Sequence, residues 1–249
     1  MEILKLISLT IGYGDNTISS DINVSLNEGD MVALIGPNGA GKSTLFKTLF
    51  GNIKPISGKI YFNGMDLSEI SHMERAKMLS VVLTTRPDDM FLKVFDVVAA
   101  GRYPYVGMFG KLSGNDERII EESLDIIGIK ELKNRLFNTL SDGERQKVMI
   151  AKALAQNTPI IFLDEPSAFL DYPSKIELFS ILKTLAVEKK KTIIFSSHDL
   201  ELLLRYTDNL WVMAKNKHFV AGKCHDLLED DTIKNYFSIN DVENDWLKK

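Results

Sequence analysis

One stretch of the chain carries the strongest chemical signal. Gly36-Pro37-Asn38-Gly39-Ala40-Gly41-Lys42-Ser43-Thr44 follows the apolar run Met31 to Ile35 and leads into Leu45, Phe46 and Leu49 at helical spacing. Gly36, Gly39 and Gly41 let the backbone curl until successive N–H groups aim at one point, and the N-terminus of the helix adds partial positive charge there. This is a phosphate-binding loop in the strand-loop-helix context that it requires. Lys42 is expected to reach the β and γ phosphates of a nucleotide. The Ser43 hydroxyl offers a hard oxygen to Mg²⁺, which prefers oxygen donors in an octahedral array. Asn38, Ala40 and Thr44 complete the stretch expected to surround the nucleotide.

A second apolar run, Ile160 to Leu163, ends in Asp164 and Glu165. Carboxylates at the C-terminal end of a buried parallel strand sit where open α/β sheets bind their ligands. Asp164 is expected to hold Mg²⁺. Glu165 is then the general base for an attacking water, because hydrolysis needs a carboxylate beyond the γ phosphate and the first one is taken by the metal. A third run, Thr192 to Phe195, closes in Ser196-Ser197-His198-Asp199. That places His198 at the same sheet edge, in reach of the γ phosphate. Leu140-Ser141-Asp142-Gly143-Glu144 precedes a helix carrying Val148, Ala151, Leu154 and Ala155. Ser141 with Glu144 reads as a capping box, while a serine and a glycine at a helix N-terminus also make an anion site. The residues alone allow both.

The elements that must position these groups follow from periodicity. Asp21 to Asn27 alternates, with Ile22, Val24 and Leu26 on one face, as does Lys59 to Asn63, which stops at the turn pair Asn63-Gly64. The first 65 residues therefore contain antiparallel sheet. The three continuous apolar runs suit strands buried on both faces, as in a parallel sheet covered by helices. After the Gly-rich stretch Gly107 to Gly114, Ile119, Ile120, Leu124 and Ile127 mark a helical stripe that ends at Gly128. The fold class expected is α/β: a P-loop NTPase core with a mostly parallel sheet, an antiparallel β subdomain and an inserted helical lobe. One domain over 1–249 is expected, with 1–86 and 159–226 as the catalytic lobe, 87–158 as the helical lobe and 227–249 as a short helix or frayed tail.

Composition narrows the function classes. Of the 249 residues, 45% are hydrophobic and 26% charged, which is a globular balance, and a net charge of −4 offers nucleic acid or anionic lipid no long-range attraction. The single cysteine, Cys224, cannot form an internal disulfide, which suits a reducing compartment. No apolar run approaches the roughly 18 residues of a membrane helix, and Glu2 and Lys5 interrupt the first apolar stretch, which makes a poor signal peptide. Any membrane role is expected to come through a partner.

Taken together, in order and spacing, these segments resemble the ATP-binding cassette family, the ATPase subunits of ABC transporters, over nearly the whole chain. The resemblance implies that the Leu140 to Glu144 signature contacts the γ phosphate held by another subunit, so that two copies close head to tail on two ATP molecules. It implies partners in the form of a second copy, integral membrane permease subunits and, indirectly, a substrate-binding protein, with no nucleic acid. It implies a cytoplasmic location, peripheral on the inner face of the cell membrane. Tyr13 matches the aromatic that stacks on adenine, although a tyrosine in a Gly-Tyr-Gly turn could equally be structural. Asp171, in Ser167-Ala-Phe-Leu-Asp171, matches the loop that passes between the subunits, and His198 matches the switch histidine. Two departures stand out. Thr84 and Thr85 follow the strand Leu79 to Leu83 where the family has a glutamine that touches Mg²⁺, and Asp142 and Glu144 replace a glycine and a glutamine of the signature. An extra carboxylate near phosphate is repulsive unless it points to solvent or to a basic partner, so only Ser141 and Gly143 are assigned to nucleotide contact.

Ala100-Gly101-Arg102-Tyr103-Pro104-Tyr105 is similar to a stretch in the subgroup that imports iron-siderophores, haem and cobalamin. Arg102 and Pro104 then belong either to the surface that docks the permease or to an ordinary capped turn. The alternative within the family is an ATPase energising a different substrate or an exporter. A GTPase switch would need Asn-Lys-x-Asp, but Asn216-Lys217 is followed by His218-Phe219, and relatives acting on DNA or ribosomes carry a coiled-coil insertion or a second cassette. A metal site at His218, Cys224 and His225 lacks the spacing of a zinc site.

Overall fold

The computed structural model describes residues 1–83, 91–107, 110–213 and 219–229. Thr84, Thr85 and most of the expected 227–249 tail lie outside the described residues, as do Asn216, Lys217 and His218. Along the described chain run strands β1 (Glu2–Tyr13), β2 (Asn16–Asn27), β3 (Met31–Ile35), β4 (Ser57–Phe62), β5 (Met65–Asp66), β6 (Leu79–Val82), β7 (Ile160–Leu163), β8 (Thr192–Ser196), β9 (Asn209–Met213) and β10 (Phe219–Lys223). The helices are α1 (Lys42–Leu49), α2 (His72–Met78), α3 (Val94–Ala99), α4 (Gly114–Ile126), α5 (Asp142–Ala155), α6 (Tyr172–Lys189), α7 (Leu200–Tyr206) and α8 (Cys224–Glu229).

Among the described residues the strands form two sheets. One is antiparallel, in the order β2-β1-β4-β5, and the other runs β10-β9-β3-β8-β7-β6, parallel throughout except for the antiparallel edge strand β10. The three continuous apolar runs are β3, β7 and β8, adjacent in the middle of the parallel sheet. Their side chains alternate between two cores. Met31, Ala33 and Ile35 of β3, Ile161 and Leu163 of β7, and Ile193 and Phe195 of β8 pack on the helical side. Val32, Leu34, Ile160, Phe162 and Ile194 pack on the other, against α1 and the antiparallel sheet. A strand with no solvent face has no polar positions to show, which is why these runs read as continuous rather than alternating. Cys224 opens α8, so that helix begins before the expected boundary at 227, inside the span assigned to the catalytic lobe.

In the inserted lobe, α3, α4 and α5 pack around Ile120, Leu124, Ile127, Val148, Ala151 and Ala155. The Gly-Arg turn that precedes α4 proves to be interior. Arg102 is only 4% exposed; its Nε donates to Asp116 Oδ1 at 2.9 Å and its Nη1 to the Ala155 carbonyl at 2.8 Å, while its guanidinium lies 4.1 Å from the centre of the Tyr105 ring. Ala155 ends α5, so Arg102 satisfies one of that helix's orphan carbonyls and joins it to the first turn of α4. Gly101 makes this approach possible, since a Cβ there would lie 2.3 Å from the Lys152 carbonyl oxygen. Of the two readings of this turn, docking surface or structural turn, Arg102 belongs to the second; the turn exposes Tyr103 and Tyr105. Gln156, just beyond α5, donates to the carbonyls of Ala76 at 2.6 Å and Leu79 at 3.0 Å, fastening the inserted lobe to the end of α2 and the start of β6.

The Asp116 carboxyl is held down to about 2, chiefly by the Ser113 hydroxyl and N–H and then by Arg102. Since an unfolded aspartate titrates at about 3.9, the stability that it contributes is complete above about pH 4 and is lost as the pH falls toward 2. Arg102→Ala should cost on the order of 3 kcal/mol at neutral pH, because it leaves a buried carboxylate without its cation. Urea denaturation at pH 7 and at pH 3 checks this, and the gap between wild type and variant should narrow at the lower pH.

Candidate functional site

The loop between β3 and α1 is built as its glycines suggest. Gly41 caps α1 at φ 102° with no side-chain cap, so the N–H groups of the first helical turn are not consumed by a capping side chain. A Cβ at Gly41 would meet Ile18 Cγ2 at 2.2 Å, so both the backbone angle and the packing there require glycine. Lys42 is 8% exposed, and its ammonium donates to the Gly36 carbonyl at 2.7 Å. Burial lowers its pKa, and the charges of Glu165 and Asp164 oppose that shift. The loop thus presents a cation that is held in place by its own backbone and faces the two carboxylates. Asn38 and Gly39 are exposed at the loop tip and Ser43 is exposed on the first turn, whereas Ala40 and Thr44 are buried. Ala40 and Thr44 are packed into the fold rather than standing at the loop tip.

The Asp164-Glu165 pair lies just beyond β7 and His198 just beyond β8, adjacent parallel strands with Leu163 opposite Phe195. His198 Nε2 is 2.9 Å from Glu165 Oε1. Glu165 takes φ 48°, a left-handed conformation uncommon outside glycine, which turns the chain so that this side chain meets the histidine. Glu165, Ser167, Ala168, Lys175, Ser197 and His198 line one open cleft. The phosphate loop, both carboxylates and the histidine, which are far apart in the sequence, thus meet at the C-terminal edge of β3, β7 and β8.

Ser141, Gly143 and Asp171 are not part of that assembly. They line a second groove that shares no lining residue with the first. Ser141 is the N-cap of α5 and forms the full capping box: its N–H donates to Glu144 Oε2 at 2.8 Å, and its Oγ accepts from the Glu144 N–H at 3.3 Å. Glu144 is therefore occupied by the cap, with its pKa lowered by the Ser141 N–H bond, and Arg135 lies 3.6 Å away. Asp142 points outward, 68% exposed and 3.9 Å from Arg145, so it meets the condition set for an extra carboxylate, solvent plus a basic neighbour. Asp171 is the N-cap of α6 and accepts from the Ser174 N–H at 3.0 Å, and these Ser174 contacts hold its carboxyl low. Tyr13 stands at the end of the β1–β2 hairpin opposite Asn16, 51% exposed.

Sequence reasoning missed two contributors. Ser196, the last residue of β8, donates to Asp164 Oδ1 at 2.6 Å and accepts from the Glu165 N–H at 2.9 Å. The one signal for it was a serine ending an otherwise apolar buried run. Lys175 pairs with Asp199 at 3.2 Å and ties the start of α6 to the segment after His198. Nothing local in either sequence segment signals this pair.

The donor set suits Mg²⁺. Among the described residues there is no group of three or more His, Cys, Asp or Glu placed to hold a metal, as a transition metal would need. One exposed hydroxyl, Ser43, and one carboxylate, Asp164, leave most of an oxygen octahedron to phosphate and water. The other metal reading finds no support, because Cys224 donates its thiol to the Thr207 carbonyl inside the fold while His225 pairs with Asp226 at the surface.

Known proteins are similar along most of the chain. The family profile described as ABC transporter matches residues 19–168. The iron(3+)-hydroxamate import ATP-binding protein FhuC of Bacillus subtilis is 35% identical over 240 residues, 96% of this chain and 89% of its own. The ferric enterobactin transport ATP-binding protein FepC of Escherichia coli is 33% identical over 233 residues, 93% of this chain and 85% of its own. Among solved structures, a transporter described as of metal-chelate type, in an inward-facing conformation, superimposes with a TM-score of 0.84 at 28% identity, covering 96% of this chain and 90% of its own. A dimeric ATP-binding cassette bound to ADP and Pi gives 0.77 at 26% identity, covering 89% of this chain and 98% of its own.

Gly41→Ala should destabilise the fold by about 2 kcal/mol or more, from the left-handed strain and the contact with Ile18 together. Thermal unfolding checks this, and nucleotide affinity should fall at least tenfold in the folded fraction.

Proposed function

The chain belongs to the ABC transporter family as an ATP-binding ATPase, and on that premise we propose that it drives an importer of iron-siderophore, haem or cobalamin chelates. The observation that carries the catalytic part is the meeting of Lys42, Asp164, Glu165 and His198 at one sheet edge, with Glu165 and His198 in contact at 2.9 Å. The likeness to FhuC and FepC along nearly the whole chain supports the chelate class. Among the described residues no helix is long and apolar enough to cross a membrane, and in this reading separate permease subunits do so. On the same reading the chain sits on the inner, cytoplasmic face of the membrane, docked on permease subunits that receive their cargo from a substrate-binding protein. The net charge of −4 offers nucleic acid no long-range attraction.

The loop residues Gly36, Asn38, Gly39, Ala40, Gly41 and Thr44 wrap the phosphates with backbone N–H groups, and Tyr13 stacks on the adenine. Lys42 neutralises the charge that builds on the γ phosphoryl oxygens. Ser43 and Asp164 would hold Mg²⁺, which, when bound, spreads that charge over the phosphates. Glu165 accepts a proton from water as its oxygen bonds to the γ phosphorus and the bond to the bridging β–γ oxygen breaks. His198 orients Glu165 and contacts the γ phosphate. Within one copy Ser141 and Gly143 lie in a different groove, so a single chain has half a site. A second copy, closing head to tail, brings its Ser141 and Gly143 to the phosphate and its Asp171 to the seam. The groups are set in advance by packing, so catalysis rests on position and charge.

Glu165→Gln should bind ATP yet turn over at least a hundredfold more slowly, and light scattering should show ATP converting it from monomer to dimer. Wild-type turnover in that variant would mean that another group is the base. Lys42→Ala should lose nucleotide affinity itself, on the order of tenfold to a hundredfold, read by equilibrium titration.

A further inference from the structure

Ser196 is fully buried at the end of β8, after the apolar Ile193, Ile194 and Phe195. A hydroxyl in such a place must find its partners within the protein. Ser196 finds two on the extension of the adjacent strand, giving its proton to Asp164 Oδ1 at 2.6 Å and taking one from the Glu165 N–H at 2.9 Å. A hydroxyl has a single proton, and a carboxylate oxygen facing it can only accept, so the two bonds are satisfied together in this sense alone. The register arranges it. Leu163 stands opposite Phe195, so the next residues of the two strands, Asp164 and Ser196, come abreast. On its other side β8 pairs with β3 through Leu34 and Ser196, one residue short of the last position before the phosphate loop. One oxygen atom therefore links the orientation of the Asp164 carboxylate to the backbone turn of Glu165.

We propose that Ser196 is a positioning residue for ATP hydrolysis. Its hydroxyl aims the Asp164 carboxylate toward the metal and holds Glu165 in the left-handed turn that carries its side chain to His198. It touches neither nucleotide nor water. The proposal rests on the reading of Asp164 as the metal-holding group and Glu165 as the base. Removing the hydroxyl frees both groups at once and leaves the phosphate loop intact, so the damage falls on metal use and turnover and spares the holding of phosphate by the loop.

The test compares wild type with Ser196→Ala and Ser196→Thr. In Ser196→Ala, kcat should fall about tenfold and KM for ATP in the presence of Mg²⁺ should rise by about threefold. A titration of ADP at equilibrium, without turnover, should show metal-free affinity unchanged and the gain on adding Mg²⁺ cut by about threefold or more. Ser196→Thr, which keeps the hydroxyl, should recover most of both; if its extra methyl group prevents folding, the ADP titration on Ser196→Ala decides alone. Wild-type kcat together with a wild-type metal-dependent gain in Ser196→Ala would overturn the proposal. So would an equal loss of ADP affinity with and without Mg²⁺, the mark of a merely structural role. A wild-type chain that bound Mg²⁺ and ADP but failed to hydrolyse ATP would instead count against the functional reading, and the ADP titration would still decide the part played by Ser196.

Discussion

The parallel pairing of β7, β8 and β3 is the constraint on which the rest of this structure depends. Parallel neighbours end at the same edge, so whatever follows each strand is delivered to one place. Here that place receives the phosphate loop after β3, Asp164 and Glu165 after β7, and His198 after β8. The pairing is enforced from both sides, because alternate residues of each strand are buried in two separate cores, and a slip of one position would exchange them. These polar groups stay close together because apolar layers above and below leave the strands no freedom to shift.

At the strand ends, side-chain bonds replace the ladder. Asp164 N–H still pairs with the Val82 carbonyl, continuing the sheet toward β6, but at Glu165 the chain turns left-handed and the sheet pattern stops. Ser196 takes over from there, accepting the Glu165 N–H that a further ladder bond would have used. Such a turn is costly for a glutamate and persists only where its surroundings over-determine it. The bond to Ser196 and the contact with His198 supply two of those constraints.

The inserted lobe solves a different problem, presenting a helix N-terminus while keeping the remainder of the helix still. The capping box occupies Ser141 and Glu144, and at the other end Arg102 and Gln156 fasten α5 to α4, α2 and β6. Glu144 and Asp142, which depart from the signature that the stretch resembles, each have a structural place. Glu144 serves the cap, and Asp142 faces solvent beside Arg145. The Arg102 and Asp116 pair is buried with hydrogen bonds on both partners, the condition under which a charge pair can be held inside a protein without a large penalty.

Much of this was legible in the sequence because the signals were local. Gly36 to Thr44 carries its own strand-loop-helix context, the runs at β3, β7 and β8 announce strands buried on both faces, and Ser141 with Glu144 spells a capping box. What is set by contacts between distant residues was not legible. The long first strand, β1, shows no sustained alternation because bulges break its register with β2, and β10 is a short edge strand with no apolar stripe of its own. Arg102 read as either a surface or a turn residue, since charge on a turn usually seeks water, and only the packing of α4 against α5 turned it inward. Ser196 gave no sign of its partners, for they lie on another strand and are set by the register. Residue types and spacing determined that the chain carries a phosphate-loop sequence set between a buried strand and a helix. The tertiary structure decided that Glu165 meets His198 through a strained turn and that the signature lies in a separate groove, because those outcomes depend on which strand ends lie side by side.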